Sequence, residues 1–418
     1  MYIVPGYIEY YEDGGALLLS SKLLQNKVKI TDPGLQEEFY SIVRRGGCPA
    51  LSTPLTLFLH EQEMLASREE ITRALDQLRQ LMQSKLLLTM MPTEGCNFRC
   101  PYCYETHAPV TMRREILDQI QAYLVAQVPH FRTVQVSWFG GEPTLCKDVV
   151  LETCALIQAA QAEHGFQYNG GMTTNGYLLD AAEFRQYYAA GITEYQITLD
   201  GWNHDQTRPH VSGRGTLRTI LHNLTEIAAL PKEEFRFRMV LRHNILAGDT
   251  DFSWYDHLAK LFGADDRFFV YVSPVGDWGG EDVQALNLLK GKQAKELVSQ
   301  HIAYLDRIGL QHTNQTQGIF SGICYASYPH SMVFRADGKI EKCTVALDHP
   351  KNLLGWVDPE RGVVLDGEIN RLWSVSDLRP ECNTCADVLS CLNMRCKKGV
   401  IIDGNACGTC PHMNTQSG

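Results

Sequence analysis

The sequence lacks the features that would assign it to a membrane or to a nucleic acid. No run of it approaches the roughly 18 apolar residues of a transmembrane helix, and its first residues, MYIVPGYIEYYEDGG, show no basic segment followed by an apolar core. Positive charge is also scarce, because 38 Lys and Arg face 48 Asp and Glu, a formal net charge of -10. Such a balance disfavours an extended surface for nucleic acid or anionic lipid. We therefore expect a cytoplasmic protein that binds neither.

Cysteine, in contrast, is abundant and unevenly spread. Of the 14 cysteines, three form a C-x3-C-x2-C run in EGCNFRCPYCYE and eight more fall between residues 324 and 410. In a cytoplasmic protein such clusters indicate metal ligation, because the cytosol keeps thiols reduced. Three thiolates leave a tetrahedral metal or a four-iron cluster one ligand short. The three thiols are those of Cys96, Cys100 and Cys103. The fourth ligand is either a distant residue of this chain or a molecule that is not protein.

Residues 1–88 carry a pattern of their own. YIEYY and ALLLSS flank EDGG, which predicts a hairpin, and KVKIT alternates like a third strand. Two or three helices follow, one of them opened by a capping box from Ser67 to Glu70. This content predicts a small winged-helix module. The alternative is a helical segment that packs on the main domain.

Strand and helix patterns alternate from residue 89 to about 305. The six predicted strands are LLLTMM, TVQVSWFG, YNGGMTTNG, EYQITLDG, FRFRMVLRHN and RFFVYVSPV, with helical stretches between them. Regular alternation predicts parallel strands with right-handed crossovers. Six units predict an α/β fold built on a partial (β/α)6 barrel, open rather than closed like a complete TIM barrel. Active-site residues of such folds follow the strand ends, which is where the C-x3-C-x2-C run lies.

The alternation stops in residues 306–418. SMVFRADGKIEKCTVA predicts a hairpin around Asp337 and Gly338, and the clustered cysteines follow with little regular pattern between them. A region this poor in apolar residues needs cross-linking, which metal clusters supply. We therefore expect a third, metal-binding domain.

A C-x3-C-x2-C run after the first strand of a partial barrel, with Tyr102 before its last cysteine, resembles the radical S-adenosylmethionine (SAM) superfamily. The resemblance implies that Cys96, Cys100 and Cys103 bind three irons of a [4Fe-4S] cluster and leave the fourth iron to SAM. It also implies SAM contacts at the strand ends, the GGEP segment facing the SAM amino group and the TTNG segment its ribose. The implied cofactor-binding residues are Tyr102, Gly140, Gly141, Glu142, Pro143, Thr174, Asn175, Asp200, Arg242 and Asn244. A zinc site is the alternative.

The C-terminal cysteines resemble the SPASM extension of radical SAM peptide maturases. By this resemblance one auxiliary [4Fe-4S] cluster is held by Cys382, Cys385, Cys391 and Cys410. A second is held by Cys324, Cys343 and Cys396, with Cys407 as the candidate fourth ligand. The usual pattern places three residues between the cysteines at the 391 and 396 positions, and this sequence has four. Together with the first cluster, three [4Fe-4S] clusters are expected; a zinc ribbon is the alternative.

In this class a winged-helix module ahead of the barrel binds the leader of a ribosomally made precursor peptide, often by strand addition. The resemblance thus implies a maturase that cross-links side chains of such a peptide by a carbon-carbon or thioether bond, reduced by a flavodoxin or ferredoxin. Two alternatives remain: an anaerobic sulfatase-type formylglycine maturase, and a non-catalytic zinc-stabilised peptide-binding scaffold. Asp277, after the sixth strand, is the candidate general base, although a loop aspartate more often caps a turn.

Overall fold

The computed structural model describes residues 1–21, 26–280, 282–313, 323–374, 382, 385, 388–394 and 396–404. The chain forms two compact units. One comprises Met1–Gln83 with the described residues of Thr316–His330 and Glu368–Gly418, and the other comprises the described residues of Ser84–Gln315 together with Ser331–Gly367. No described helix is both long and apolar enough to cross a membrane.

The N-terminal part of the first unit is a small antiparallel sheet with three helices. Its elements are β1 (Tyr2–Ile3), β2 (Ile8–Asp13), β3 (Ala16–Ser21), β4 (Lys27–Ile30), α1 (Pro33–Arg44), α2 (Pro54–Glu61), β5 (Ala66–Ser67) and α3 (Arg68–Gln83). Strands β2, β3 and β4 pair in that order, and β1 pairs with β5. The predicted hairpin is confirmed, with Gly14 and Gly15 in the left-handed region that its turn requires. The winged-helix assignment stays a prediction.

Helix α3 begins as the sequence predicts. The backbone N–H of Ser67 donates to the Glu70 carboxylate at 2.6 Å, and the Glu70 N–H donates to the Ser67 hydroxyl at 3.1 Å. This reciprocal pair satisfies two N–H groups that a helix start leaves open. The helix then buries one apolar stripe at helical spacing, formed by Ile71, Leu75, Leu78 and Met82.

The second unit is built on a ten-stranded, mostly parallel sheet. Its elements are β6 (Lys85–Met90), α4 (Arg114–Gln127), β7 (Thr133–Trp138), α5 (Lys147–His164), β8 (Gln167–Thr174), α6 (Ala181–Ala189), β9 (Ile192–Thr198), α7 (His204–Thr207), α8 (Leu217–Ala228), β10 (Arg238–Ile245), α9 (Ser253–Phe262), β11 (Phe268–Pro274), α10 (Gly291–Ile308), β12 (Ser331–Phe334), β13 (Lys339–Glu341), β14 (Leu353–Asp358) and β15 (Gly362–Leu365). Three described helices that follow in the chain belong to the first unit: α11 (Gly367–Trp373), α12 (Val388–Met394) and α13 (Lys397–Ile401).

Strands β6 to β11 lie side by side in chain order and are parallel. All six predicted strands are therefore confirmed, as is the mixed α/β fold with its large parallel sheet. The hairpin around Asp337 and Gly338 is also confirmed as β12 and β13, and β12 pairs in parallel with β6. The C-terminal hairpin strands thus extend the first edge of the six-stranded sheet.

The core of this unit lies between the sheet and its helices. Alternate residues along the strands point to the helix layer and are buried, as strand periodicity requires. On β7 to β10 these are Val134, Val136, Trp138, Met172, Tyr195, Ile197, Met239 and Leu241. The parallel arrangement brings the carboxyl ends of six strands to one edge, and the residues that follow those ends form the site described next.

Candidate active site

A cavity of about 420 Å³ opens at the carboxyl ends of the parallel strands. The thiols of the C-x3-C-x2-C run line it, together with polar side chains at or just after the carboxyl ends of strands β7 to β11. The structure therefore brings the three cysteines and most of the predicted SAM-binding residues to one cavity. Those lining it are Cys96, Cys100, Tyr102, Cys103, Gly140, Gly141, Glu142, Thr174, Asn175, Arg242 and Asn244.

Local hydrogen bonds fix the cysteine loop. The Thr93 hydroxyl donates to the carbonyl of Val110 at 2.8 Å and accepts from the Gly95 N–H at 3.0 Å. The Phe98 N–H donates to the Cys96 sulfur at 3.3 Å, and the buried Phe98 ring anchors the loop. A further turn bond runs from the Cys103 N–H to the Cys100 carbonyl at 3.0 Å. The sulfur positions are thus set by the backbone.

Burial disfavours the charged form of these thiols. It raises the pKa of Cys96 and of Cys103 to about 12 each, and it also raises the pKa of Cys100. Iron ligands must be thiolates, and burial disfavours their negative charge. Iron cations bound in this cavity would offset that charge. Within the described residues, no three His, Cys, Asp or Glu lie close enough to hold a single metal ion. Three thiols around one large cavity fit a multi-iron cluster with one position left open.

Glu142 presents a fully buried carboxylate to the cavity, held by four donors. One oxygen accepts from the Thr144 N–H (3.1 Å), the Thr144 hydroxyl (2.6 Å) and the Thr174 hydroxyl (2.6 Å). The other accepts from the Asn175 N–H at 2.7 Å. Burial raises the pKa of Glu142, and these donors oppose that rise by stabilising the carboxylate. The neighbouring Pro143 is buried and starts a helical turn outside the cavity lining.

The two glycines before Glu142 let two loops cross. A Cβ on Gly141 would lie 2.1 Å from the Gly95 carbonyl oxygen, and one on Gly140 would lie 2.7 Å from the Thr93 carbonyl oxygen. Gly140 also has a φ of 90°, which side chains rarely adopt. The GG pair is therefore needed for close packing against the cysteine loop.

Asp200 supports the cavity from behind. It accepts hydrogen bonds from the Tyr102 hydroxyl and from the Thr207 hydroxyl at 2.9 Å, and it is not among the lining residues. The Arg208 guanidinium, which does line the cavity, donates to the Tyr102 oxygen at 3.0 Å. Asp200 and Arg208 thus position Tyr102 from two sides. Sequence reasoning missed Arg208, because TRPH is no recognisable motif and only the chain path after β9 brings it here.

Arg242 and Asn244 form a second polar wall. The Arg242 Nε donates to the Asn244 side chain at 2.7 Å, and its Nη2 donates to the Ser273 hydroxyl at 3.2 Å. The guanidinium lies 5.6 Å above the Tyr271 ring. Elsewhere in the cavity lining, the Asn175 side-chain amide donates to Asn97 at 2.7 Å. These contacts hold the side chains of Arg242, Asn244 and Asn175 in place.

Asp277 lies outside the cavity lining and is exposed. Its carboxylate accepts from the Gly279 N–H at 3.2 Å and from the Gln284 side chain at 2.6 Å. It therefore occupies the turn-capping role that the sequence left as the alternative. Its neighbour Trp278 does line the cavity.

Three of the described C-terminal cysteines of the first unit lie near one lysine. Cys324, Cys382 and Cys391 lie within electrostatic reach of Lys397, whose pKa is lowered by burial and raised by these thiols, with a net lowering. The Cys385 N–H donates to the Cys382 carbonyl at 3.2 Å, and Cys396 precedes α13. In the second unit Cys343 is buried, its N–H bonded to Asn352. Cys407 and Cys410 lie outside the described residues, so the auxiliary clusters stay predictions.

The family pattern of the radical SAM superfamily matches residues 90–261, the segment that contains the cavity cysteines and strands β7 to β10. Residues 90–261 therefore form a radical SAM domain. The chain is 25% identical over 334 residues to the serine-type anaerobic sulfatase-maturating enzyme of Klebsiella aerogenes, and the match covers 75% of this chain and 79% of that enzyme. It is 28% identical over 174 residues to the GTP 3',8-cyclase of Haemophilus ducreyi. That match covers 41% of this chain and about half (49%) of the cyclase.

Two solved structures share the fold of this radical SAM enzyme. SuiB of Streptococcus suis, bound to its precursor peptide SuiA, has a TM-score of 0.52 at 11% identity, covering 96% of this chain and 97% of SuiB. The enzyme anSMEcpe with bound AdoMet and a peptide has a TM-score of 0.51 at 18% identity, covering 72% of this chain and 86% of anSMEcpe. At these identities the likeness shows the fold alone.

Proposed function

We propose that this radical SAM enzyme cross-links side chains of a ribosomally made precursor peptide through a carbon-carbon or thioether bond. The cavity shared by three cluster-type cysteines and the polar strand ends supports a radical SAM reaction. The observation that favours a precursor peptide as the substrate is the fold shared over 96% of this chain with SuiB, which was solved with a precursor peptide.

In this proposal Cys96, Cys100 and Cys103 hold a [4Fe-4S] cluster, and Glu142 and the Gly140 backbone face the SAM amino group. When bound, the cluster and SAM supply a 5'-deoxyadenosyl radical, with the electron delivered by a flavodoxin or ferredoxin. The residues of the chain itself would position the bound ligand and exclude water from the cavity. Glu142 suits it, because four donors hold its carboxylate in one orientation before any ligand arrives.

Residues 1–88 would bind the leader of the precursor. Strands β2 and β4 lie at the two edges of the small sheet in the described structure, and an edge strand offers unpaired backbone groups to an added peptide strand. Tyr10 and Tyr11 on β2 are exposed beside such an edge. The predicted SPASM clusters, on the cysteines between 324 and 410, would accept the electron that the oxidation releases.

An anaerobic sulfatase-type formylglycine maturase is the second candidate. The observation that favours it is the identity of 25% over 334 residues with the serine-type sulfatase-maturating enzyme. Both activities oxidise a peptide side chain, so the cavity that the three cysteines line does not distinguish between them.

Mass spectrometry of a reacted peptide separates the two. The reconstituted enzyme is incubated without oxygen with SAM, dithionite and a candidate precursor, namely any short peptide found to be encoded beside its gene. A sulfatase peptide is the parallel substrate. A cross-link removes two hydrogens and suppresses fragmentation between the joined residues. Formylglycine is an aldehyde and reacts with a hydrazine reagent. Hydrazine-reactive product from the sulfatase peptide alone would contradict the cross-linking proposal.

A further inference from the structure

A buried arginine joins two segments of the second unit that carry cysteines. Arg335 follows β12, and only 3% of its surface is exposed. Its Nε and Nη2 both donate to one oxygen of the Glu94 carboxylate, at 2.9 and 2.6 Å. Glu94 is itself buried and stands two residues before Cys96. The loop that carries Cys96 is therefore tied at its start to the hairpin of β12 and β13.

The rest of the guanidinium faces the segment that leads to Cys343. Arg335 Nη1 lies 2.8 Å from the Asp348 carboxylate and 3.8 Å from that of Glu341, which is fully buried two residues before Cys343. The Asp348 N–H donates to Glu341 at 2.7 Å, and Asp348 has a φ of 64°, in the left-handed region. A residue in that conformation persists where its surroundings hold it. One cation thus pairs with acids from both segments.

Backbone contacts connect this ion-pair network to the two thiols. The Gly95 carbonyl, next to the first thiol of the run, accepts from the Glu142 N–H at 3.0 Å. The side-chain oxygen of Asn352 accepts from the Cys343 N–H at 2.9 Å, and its amide donates to the Cys343 carbonyl at 2.9 Å. A displacement of either segment would therefore move a thiol.

Stability alone does not account for a buried ion pair at this place. Taking two charges out of water is unfavourable, and apolar side chains of similar volume often stabilise a core as well or better. A guanidinium offers something that apolar side chains lack, because its donors lie in one plane at fixed angles. The carboxylates that bind it are held in defined positions.

We propose that Arg335 is a positioning residue that holds the loop of Cys96 and the hairpin of Cys343 in one fixed arrangement. Groups that contact the segments carrying metal ligands set the positions of those ligands before the metal binds. Lysine would supply the charge of Arg335 but not its planar set of donors. Cys96 lies in the radical SAM domain, so the proposal holds for either candidate peptide reaction.

Amide hydrogen exchange of the reconstituted full chain tests the role without measuring activity. The readout is the exchange rate of residues 91–96 divided by that of residues 150–160 in α5. A global loss of stability raises both rates, whereas a displaced loop raises only the first. Arg335→Met should raise the ratio about tenfold, as expected for the loss of one charge-assisted hydrogen bond. Arg335→Lys should raise it less.

Two further variants separate the loss of position from the loss of charge and of fold. Within the described part of the chain, Lys339 forms ion pairs with Asp337 and Asp348 and none with Glu94. Lys339→Met removes the same charge from the same network and should leave the ratio unchanged. The double variant Glu94→Met, Arg335→Met replaces the buried pair with apolar side chains, so it should fold and still raise the ratio. A wild-type ratio in the double variant, or an equal rise in Lys339→Met, would overturn the proposal.

SAM binding gives a second readout on the iron-loaded enzyme. The change that SAM causes in the electron paramagnetic resonance spectrum of the reduced cluster is titrated in each variant. Arg335→Met and the double variant should bind SAM about tenfold more weakly, the lower end of the effect of losing an outer contact at a metal site. Lys339→Met should bind SAM like wild type. Wild-type affinity in the double variant would contradict the positioning role and leave the proposed function intact.

Discussion

Glu142 shows how one residue organises the cavity. Its carboxylate joins the ends of β7 and β8, since its four donors come from Thr144, Thr174 and Asn175. All four donors need an oxygen acceptor, and a carboxylate offers two oxygens with no hydrogen of its own. The GGEP segment is therefore also a structural clamp.

Glu142→Gln should weaken both stability and SAM binding. The amide NH2 would face a donor, and the free energy of unfolding should fall by about 1–3 kcal/mol, the cost of one unsatisfied buried group. Urea unfolding and equilibrium SAM binding under anaerobic conditions measure the two effects. Glu163→Gln, on an exposed site, is the control and should change neither. Unaltered SAM affinity in Glu142→Gln would contradict the assigned contact.

His204 makes the free energy of unfolding depend on pH. It is fully buried, its Nδ1 accepts from the Asp200 N–H at 3.1 Å, and its Nε2 has no hydrogen-bond partner. Burial lowers the pKa of His204 to about 4, below the model-compound value of 6.5. The neutral ring is thus favoured in the folded state. Its stabilisation is complete above pH 6.5 and is lost as the pH falls toward 4.

His204→Asn keeps an acceptor for the Asp200 N–H but cannot take up a proton. Wild-type protein should lose on the order of 2 kcal/mol of unfolding free energy through this group between about pH 7.5 and about pH 5, and the variant should not. Urea unfolding at both pH values measures the difference. Because acid also releases iron-sulfur clusters, the comparison is made between variants at equal pH, with exposed His222→Asn as control. The same pH loss in His204→Asn and wild type would refute this account.

The crossing of the cysteine loop and the loop after β7 is a contact between two backbones. A methyl group on Gly141 would meet the carbonyl of Gly95 at 2.1 Å, and neither main chain can yield without moving the thiols. Gly141→Ala should therefore lower iron content and remove SAM cleavage. Gly367→Ala, where a Cβ meets nothing within 4 Å, should keep both. Iron analysis after anaerobic reconstitution is the measurement. Full iron content in Gly141→Ala would contradict the predicted crossing.

Secondary elements were predictable where the pattern is local. The six strands, the helix stripe from Ile71 to Met82 and the turn at Gly14 and Gly15 each follow from residues close in sequence. The parallel pairing of β12 with β6 was not predictable, because it joins residues about 240 positions apart that carry no shared motif. Arg208 was missed for the same reason, because its place in the cavity depends on the chain path after β9.

At the scale of the whole molecule, the sequence motifs and the strand order place the candidate site at the same edge of the sheet. Strand order brings the ends of β6 to β11 together, and the motif residues after those ends line one cavity. For Asp277, the position after a strand was not enough to predict what the side chain contacts. It follows the sixth strand as predicted, yet its carboxylate caps a local turn. The predicted boundaries at residues 88 and 305 and the eight-cysteine C-terminal region stay predictions.

The most direct test of the account is SAM cleavage by cysteine variants of the reconstituted enzyme. Wild type and Cys48→Ala, which changes a cysteine outside the cavity lining, should bind about 12 irons per chain, from three four-iron clusters, and release 5'-deoxyadenosine. Cys96→Ala, Cys100→Ala and Cys103→Ala should each lose about four irons and all deoxyadenosine. Deoxyadenosine from any of these three variants, or stoichiometric zinc without iron in the wild type, would contradict the assignment.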